Sequence, residues 1–142
     1  MVATASGWEH FYHQADIGIR GWGPSRETAF AQIALALSAV ITDLEDIHDR
    51  RHIVCECTAP DNDFLLLAWI NQVVYEMSVT KMIFRRFDLE IKDHHLRARL
   101  GGEPVDVARH QPAVEVKGAT LTELRVHQNA NGTWIAQCVV DV

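Results

Sequence analysis

At 142 residues and 48% hydrophobic, the chain is long enough to bury a core of its own and falls in the range of one globular domain. A formal charge of −6 argues against a surface that grips a nucleic-acid backbone by itself, because that takes clustered Lys and Arg to displace counterions; DNA is not expected as a partner, and RNA only indirectly, through another protein. The longest uninterrupted apolar run, Phe64 to Ile70, is too short to span a bilayer, and residues 1–7 have neither the basic start nor the apolar stretch of a signal peptide, so a soluble, cytoplasmic protein with no membrane partner is expected.

No repeat, low-complexity tract or linker divides the chain, and the elements are read from periodicity. The first strand is predicted at residues 8–13 and gives way to a turn at His13 to Asp16. Phe30, Ile33, Ala34, Leu37, Val40, Ile41 and Leu44 then recur at helical spacing behind Pro24-Ser25, a chain stop followed by a capping hydroxyl, which predicts a helix over about 25–43. A short strand over 52–58 carries Cys55 and Cys57, one residue apart and so aimed at one face. With only Cys138 besides and no secretory signal, the odd number of cysteines reads as reduced thiols that pack as small apolar side chains, the alternative being the start of a thiolate metal site.

After Pro60, Asp61 can cap a second helix whose stripe Leu66, Ile70, Val73, Val74 and Met77 is expected to be buried, with Asn71, Gln72, Tyr75 and Glu76 on the wetter side. Strands follow at 82–93 and 95–100, the last closed by Gly101-Gly102, and Val114-Glu115-Val116 reads as another. Glu123 to Gln128 and Thr133 to Asp141 flank Asn129-Ala130-Asn131-Gly132, whose Asn-Gly suits a tight hairpin loop. The fold class predicted is α+β: a single domain with a mostly antiparallel sheet carrying two helices packed on one face.

Polar residues at strand ends carry the chemistry that can be read directly. His13 and Asp16 stand where the first strand turns, Lys117-Gly118-Ala119-Thr120 follows Val116, and the last residues are Val139-Val140-Asp141-Val142. The Asp141 side chain and a main-chain carboxylate on Val142 would put two hard oxygen anions side by side, which suits a divalent cation such as Ca²⁺, Mg²⁺ or Mn²⁺ if a third carboxylate approaches; Asp16 is the candidate. The plain alternative is a solvated acidic terminus.

Eight histidines do not make a zinc site by spacing: three residues apart on a strand, His10 and His13 point to opposite faces, while His48, His52, His94 and His95 fall in turns. His13 is kept as a partner that orients Asp16. Arg50-Arg51 and Arg85-Arg86 read as solvated pairs. Trp22, in Gly21-Trp22-Gly23-Pro24, reads either as core or as a loop anchor for a partner. No nucleophile triad or phosphate-cradling Gly-rich loop is present to support a hydrolase or nuclease working on its own.

Taken together, His13-Gln14-Ala15-Asp16, Lys117-Gly118-Ala119-Thr120 and Val139-Val140-Asp141-Val142 resemble three motifs of the archease family, in order and at the expected separations. Leu65-Leu66-Leu67-Ala68-Trp69 and Gly102-Glu103-Pro104-Val105-Asp106 with Arg109-His110 resemble its middle region, so the likeness spans essentially the whole chain; it departs at Gln14, where Thr is common. The resemblance implies a compact sheet-and-helices fold with an inserted strand-helix-strand-strand module. It also implies a non-catalytic role as activator of an RtcB-type GTP-dependent RNA ligase in tRNA splicing and RNA repair, promoting guanylylation of the ligase and its multiple turnover. On that resemblance Asp16, Asp141 and the Val142 carboxylate would hold a divalent metal ion, and Lys117 would act near the nucleotide phosphates or at the protein interface. The alternatives are a metal-dependent hydrolase or nuclease, and a chaperone or assembly module without a metal.

Overall fold

A computed structural model describes residues 5–142. Its strands are all paired antiparallel and divide into two sheets. The first is five-stranded: β1 (Gly7–His13), β2 (Asp16–Gly23), β8 (Trp134–Asp141) and β6 (Gly118–Ala119) lie in that order, with β7 (Arg125–Gln128) also paired to β8. The second is three-stranded, in the order β3 (Arg51–Thr58), β5 (His95–Pro104), β4 (Met82–Lys92). Helix α2 (Asn62–Thr80) connects β3 to β4, so β3, α2, β4 and β5 make up the expected strand-helix-strand-strand module. Helix α1 (Arg26–Ile41) touches both sheets, and a short helix α3 (Val107–His110) follows β5.

Both long helices begin where the capping residues placed them. The Ser25 hydroxyl accepts from the Thr28 amide at 3.1 Å and the Asp61 carboxylate from the Phe64 amide at 2.9 Å, each satisfying an amide that the first helical turn leaves free. Helix α1 ends at Thr42, whose backbone swings to the extended region, and α2 ends at Lys81, which adopts φ 59°. The core is continuous between the sheets: Phe30, Ile33 and Leu37 of α1, Leu65, Leu66, Trp69, Ile70 and Val73 of α2, and Phe84, Leu96 and Leu100 of the second sheet are fully buried. Removing each such side chain from water contributes about 1.5–3 kcal/mol. The Trp69 indole also donates to the Phe30 carbonyl at 3.0 Å, tying one helix to the other. All three cysteines are free thiols. Burial pushes Cys55 and Cys138 up to about 12 and Cys57 to about 11, which suppresses the thiolate needed for metal binding or redox chemistry.

The structure departs from the sequence reading at five points. The turn between His13 and Asp16 falls where expected, and residues 16–23 beyond it form a full strand, β2, that the sequence does not display; Gly18, Gly21 and Gly23 hide it because glycine depresses strand propensity. At Gly21 a Cβ would run into the Ile33 amide nitrogen, so α1 lies directly on the strand. Gly101-Gly102 do not end β5, which continues to Pro104; a Cβ on Gly102 would collide with the Ile83 carbonyl, beside the β-bulge between Phe84 and Arg86. Val114-Glu115-Val116 is unpaired, and only Gly118–Ala119 joins β8. Met77 and Val74, expected in the core, are only half-buried, and Trp22 is a half-buried strand residue rather than a loop anchor.

One buried carboxylate ties the segment after β5 to the chain after α1. Glu103, with 3% of its side chain exposed, accepts from the Arg109 guanidinium at 2.6 Å, the His48 amide at 2.6 Å and the His110 ring at 3.1 Å. His110 Nδ1 accepts from the Asp106 amide at 2.8 Å, which leaves Nε2–H to donate to Glu103. Burial alone would raise the Glu103 pKa, but these hydrogen bonds and the charge of Arg109 outweigh it and hold the group at about 2. Its contribution is therefore complete above the ordinary value near 4.5 and is lost as the pH falls toward about 2. Glu103→Ala is expected to destabilise the fold by about 2–4 kcal/mol at pH 7, between the cost of an unsatisfied polar group and that of a broken buried ion pair. Urea unfolding at pH 7 and pH 3 checks this: the wild type should lose stability on acidification more than the variant does, and equal losses would contradict the assignment.

Candidate functional site

Strand register brings the two ends of the sequence together. β2 pairs with β8 from Gly23↔Trp134 through Ile17↔Val140, so one further step sets Asp16 opposite Asp141. Residues directly opposed in an antiparallel pair project from the same face, with Cβ atoms about 4.5–5.5 Å apart. Both residues are exposed, and the register brings them to the same end of the sheet. In the β1–β2 hairpin His13 pairs directly with Asp16, which places His13 on that same face.

Alternation along β1 separates the two histidines. His10 lies on the helix side and its Nε2 bonds the Ala36 carbonyl of α1 at 2.8 Å, whereas His13 Nδ1 is buried without a hydrogen-bond partner. An unsatisfied buried nitrogen costs about 1–3 kcal/mol. The turn between the strands passes through Gln14 at φ 55°, a left-handed conformation that a β-branched residue adopts at greater cost.

The Lys117–Thr120 segment braces β8 from its other side. The Lys117 amide donates to the Asp141 carbonyl at 2.8 Å, and Gly118 pairs with Asp141. The Thr120 hydroxyl and amide both donate to the Val139 carbonyl, at 2.8 and 2.9 Å. Helix α2 supplies a contact the sequence did not disclose: the Asn71 side-chain oxygen accepts from the Ala119 amide at 2.9 Å, and a Cβ on Gly118 would stand 3.0 Å from that oxygen. Asn71 reads from the sequence as solvent-facing helix, and only the fold reveals that it fixes β6.

The four acidic and basic candidates divide between two faces. Asp16 and Asp141 share one. Lys117, one step before Gly118 in the β6–β8 register, falls opposite Val142, and it lines a groove on the α2 side of the sheet. Lys117 is therefore next to Asp141 through the backbone while also lining the groove. Among the described residues no three His, Cys, Asp or Glu side chains gather into a metal-holding group, so a cation here would rest on the Asp16 and Asp141 carboxylates together with main-chain oxygen from Val142. Those are hard donors fitted to Ca²⁺, Mg²⁺ or Mn²⁺ rather than to a soft metal. No helix among the described residues is long and apolar enough to cross a membrane.

The model of the archease protein family matches residues 8–142. A relative named protein archease, from Pyrococcus abyssi, is 34% identical over 139 residues, covering 95% of this chain and 98% of that protein. Among solved structures, the solution structure of Methanobacterium thermoautotrophicum protein 1598 is 25% identical with a TM-score of 0.79, over 96% of this chain and 99% of that one. A Thermotoga maritima crystal structure, described as an archease and possible chaperone, has a TM-score of 0.58 at 16% identity, over 94% and 96% of the two chains; at that identity the likeness speaks for the fold.

Like charges opposed across a strand pair are destabilising when nothing neutralises them. With chelator present, Asp16→Asn should therefore stabilise the protein by about 0.2–1 kcal/mol, the range for a cross-strand pair. Thermal unfolding in EDTA measures this, and a lower midpoint for the variant would show that Asp16 is a structural partner instead.

Proposed function

The chain belongs to the archease family, and from that premise we propose that it is a non-catalytic activator of an RtcB-type GTP-dependent RNA ligase, promoting guanylylation and multiple turnover through a divalent cation at the end of the five-stranded sheet. The observation that supports the reading is the β2–β8 register, paired as far as Ile17↔Val140, one step before Asp16 and Asp141. Two exposed carboxylates on adjacent strands are accessible to a cation from solvent. Asp16 and Asp141 would hold the cation by their side chains and Val142 by its main-chain oxygen.

When bound, such a cation supplies positive charge beside phosphate oxygens at a nucleotidyl-transfer centre. The chain's own residues do the positioning. His13, the cross-strand neighbour of Asp16, is assigned to orienting that carboxylate when a cation is bound. Thr120 and Asn71 hold β8 and β6 so that Asp141 stays in register. A net charge of −6 makes direct RNA binding unfavourable, and RNA is engaged through the ligase. Lys117, on the groove side, is assigned to the protein interface rather than to the nucleotide phosphates.

Ligated RNA formed per ligase over many turnovers is the test. The protein should raise it, chelator should abolish the increase, and Asp16→Ala and Asp141→Ala should return turnover to that of the ligase alone while circular dichroism remains native. Normal stimulation by either variant would overturn the reading. RNA cleavage by this protein without the ligase would make it a hydrolase, and stimulation indifferent to chelator would make it a metal-independent chaperone.

A further inference from the structure

Between α2 and the segment leading into β6 runs a groove of about 740 Å³, within the range of sites that receive a ligand or a chain segment. Its floor is apolar, built from Ile41, Val74, Met77, Met82 and Ile83, and Tyr75 forms a wall with 58% of its surface exposed. Lys81 and Lys117, two of the three lysines in the chain, line it with Glu115 as the only acid. A chain of net charge −6 thus gathers a local excess of positive charge around an apolar floor.

One wall of this groove offers unpaired backbone. The Ala113 amide donates to the Ile41 carbonyl and the Lys117 amide to the Asp141 carbonyl, both at 2.8 Å; between them Val114, Glu115 and Val116 make no backbone hydrogen bond among the described residues. Burial alternates along the run, Val114 and Val116 inward and Glu115 and Lys117 outward, as in a strand. Three consecutive residues of strand-like chain with free amides and carbonyls form an edge onto which another strand can add. The run leads directly to Gly118, the residue paired with Asp141, so this edge is continuous with the acidic end of the sheet.

We propose that the groove receives an extended, acidic-flanked apolar segment of the ligase, which adds as a strand along Val114–Val116, sets its alternate apolar side chains on the α2 side and places carboxylates against Lys81 and Lys117. The inference rests on the preceding reading, because the segment belongs to the protein that the carboxylate pair serves. It goes beyond that reading in assigning the docking to a second site, apart from the carboxylates. An uncharged apolar segment would leave both ammonium groups unmatched, and a nucleic acid would meet an apolar floor without an aromatic stacking platform.

The experiment combines two measurements on the full-length protein with the cognate ligase. The affinity of the wild type is compared with that of Tyr75→Ala and Lys81→Glu, exposed positions outside the core, and hydrogen exchange of the Val114, Glu115 and Val116 amides is followed with and without ligase. Each substitution should weaken binding about tenfold or more, the scale of an interface anchor, and the three amides should slow on complex formation in the wild type. If the wild type binds and stimulates while both variants bind equally well and the amides exchange as in the free protein, the groove assignment falls and the activator reading stands. If the wild type neither binds nor stimulates, both fall. Protection that grows with the concentration of this protein alone would assign the groove to a second copy and overturn the proposal.

Discussion

The pairing register of β2 with β8 is the constraint on which the rest depends. Side chains alternate along a strand, so a slip of one residue would turn Asp16 to the opposite face from Asp141 and separate the carboxylates. Contact with α1 resists that slip. Gly21 lets the helix backbone lie directly on β2, and a one-residue shift would bring a side chain into that contact. On the far side of β8, the Thr120 and Lys117 hydrogen bonds fix the same strand against β6. Held on two sides, the backbone of β8 presents its last residues in one register, so little backbone ordering is left for ligand binding to demand.

Polar groups are distributed according to the same logic. The buried carboxylate, Glu103, is fully satisfied by Arg109, His48 and His110 and closes one end of the molecule as a structural tie. The exposed carboxylates, Asp16 and Asp141, have no such partners drawn in around them, and the nitrogen of His13 is left without a bond. On the proposed reading, a bound cation would offset the like charges of these two carboxylates. The groove lined by Lys81 and Lys117 lies on the α2 side of the sheet, so the acidic and basic features do not neutralise each other internally.

Much of this was legible before the structure, for identifiable reasons. Both long helices were readable because Ser25 and Asp61 cap apolar runs of helical period, and the last hairpin because Asn131-Gly132 supplies the turn, Gly132 adopting φ 89°. The opposed faces of His10 and His13 followed from strand alternation alone. β2 was not legible: its glycines are present for the close approach of α1, a tertiary cause that local propensity cannot display. Nor was β5 beyond Gly101-Gly102, where the bulge in β4 crowds the strand. Asp16 and Asp141 could be named as candidates, but their adjacency is a property of pairing across 125 residues. Asn71 and the groove had no sequence signal, because a side chain facing a distant loop and one facing water share the same helical position.

If Asp16 and Asp141 hold one cation between them, as proposed, the two act as one unit. The most direct measurement is a double-substitution cycle on cation affinity: Mn²⁺ titrated calorimetrically into the wild type, Asp16→Asn, Asp141→Asn and the double variant. Shared coordination predicts strong coupling, each single substitution removing most of the affinity and the second adding little. Independent, additive losses, or a single variant that binds Mn²⁺ as the wild type does, would contradict it.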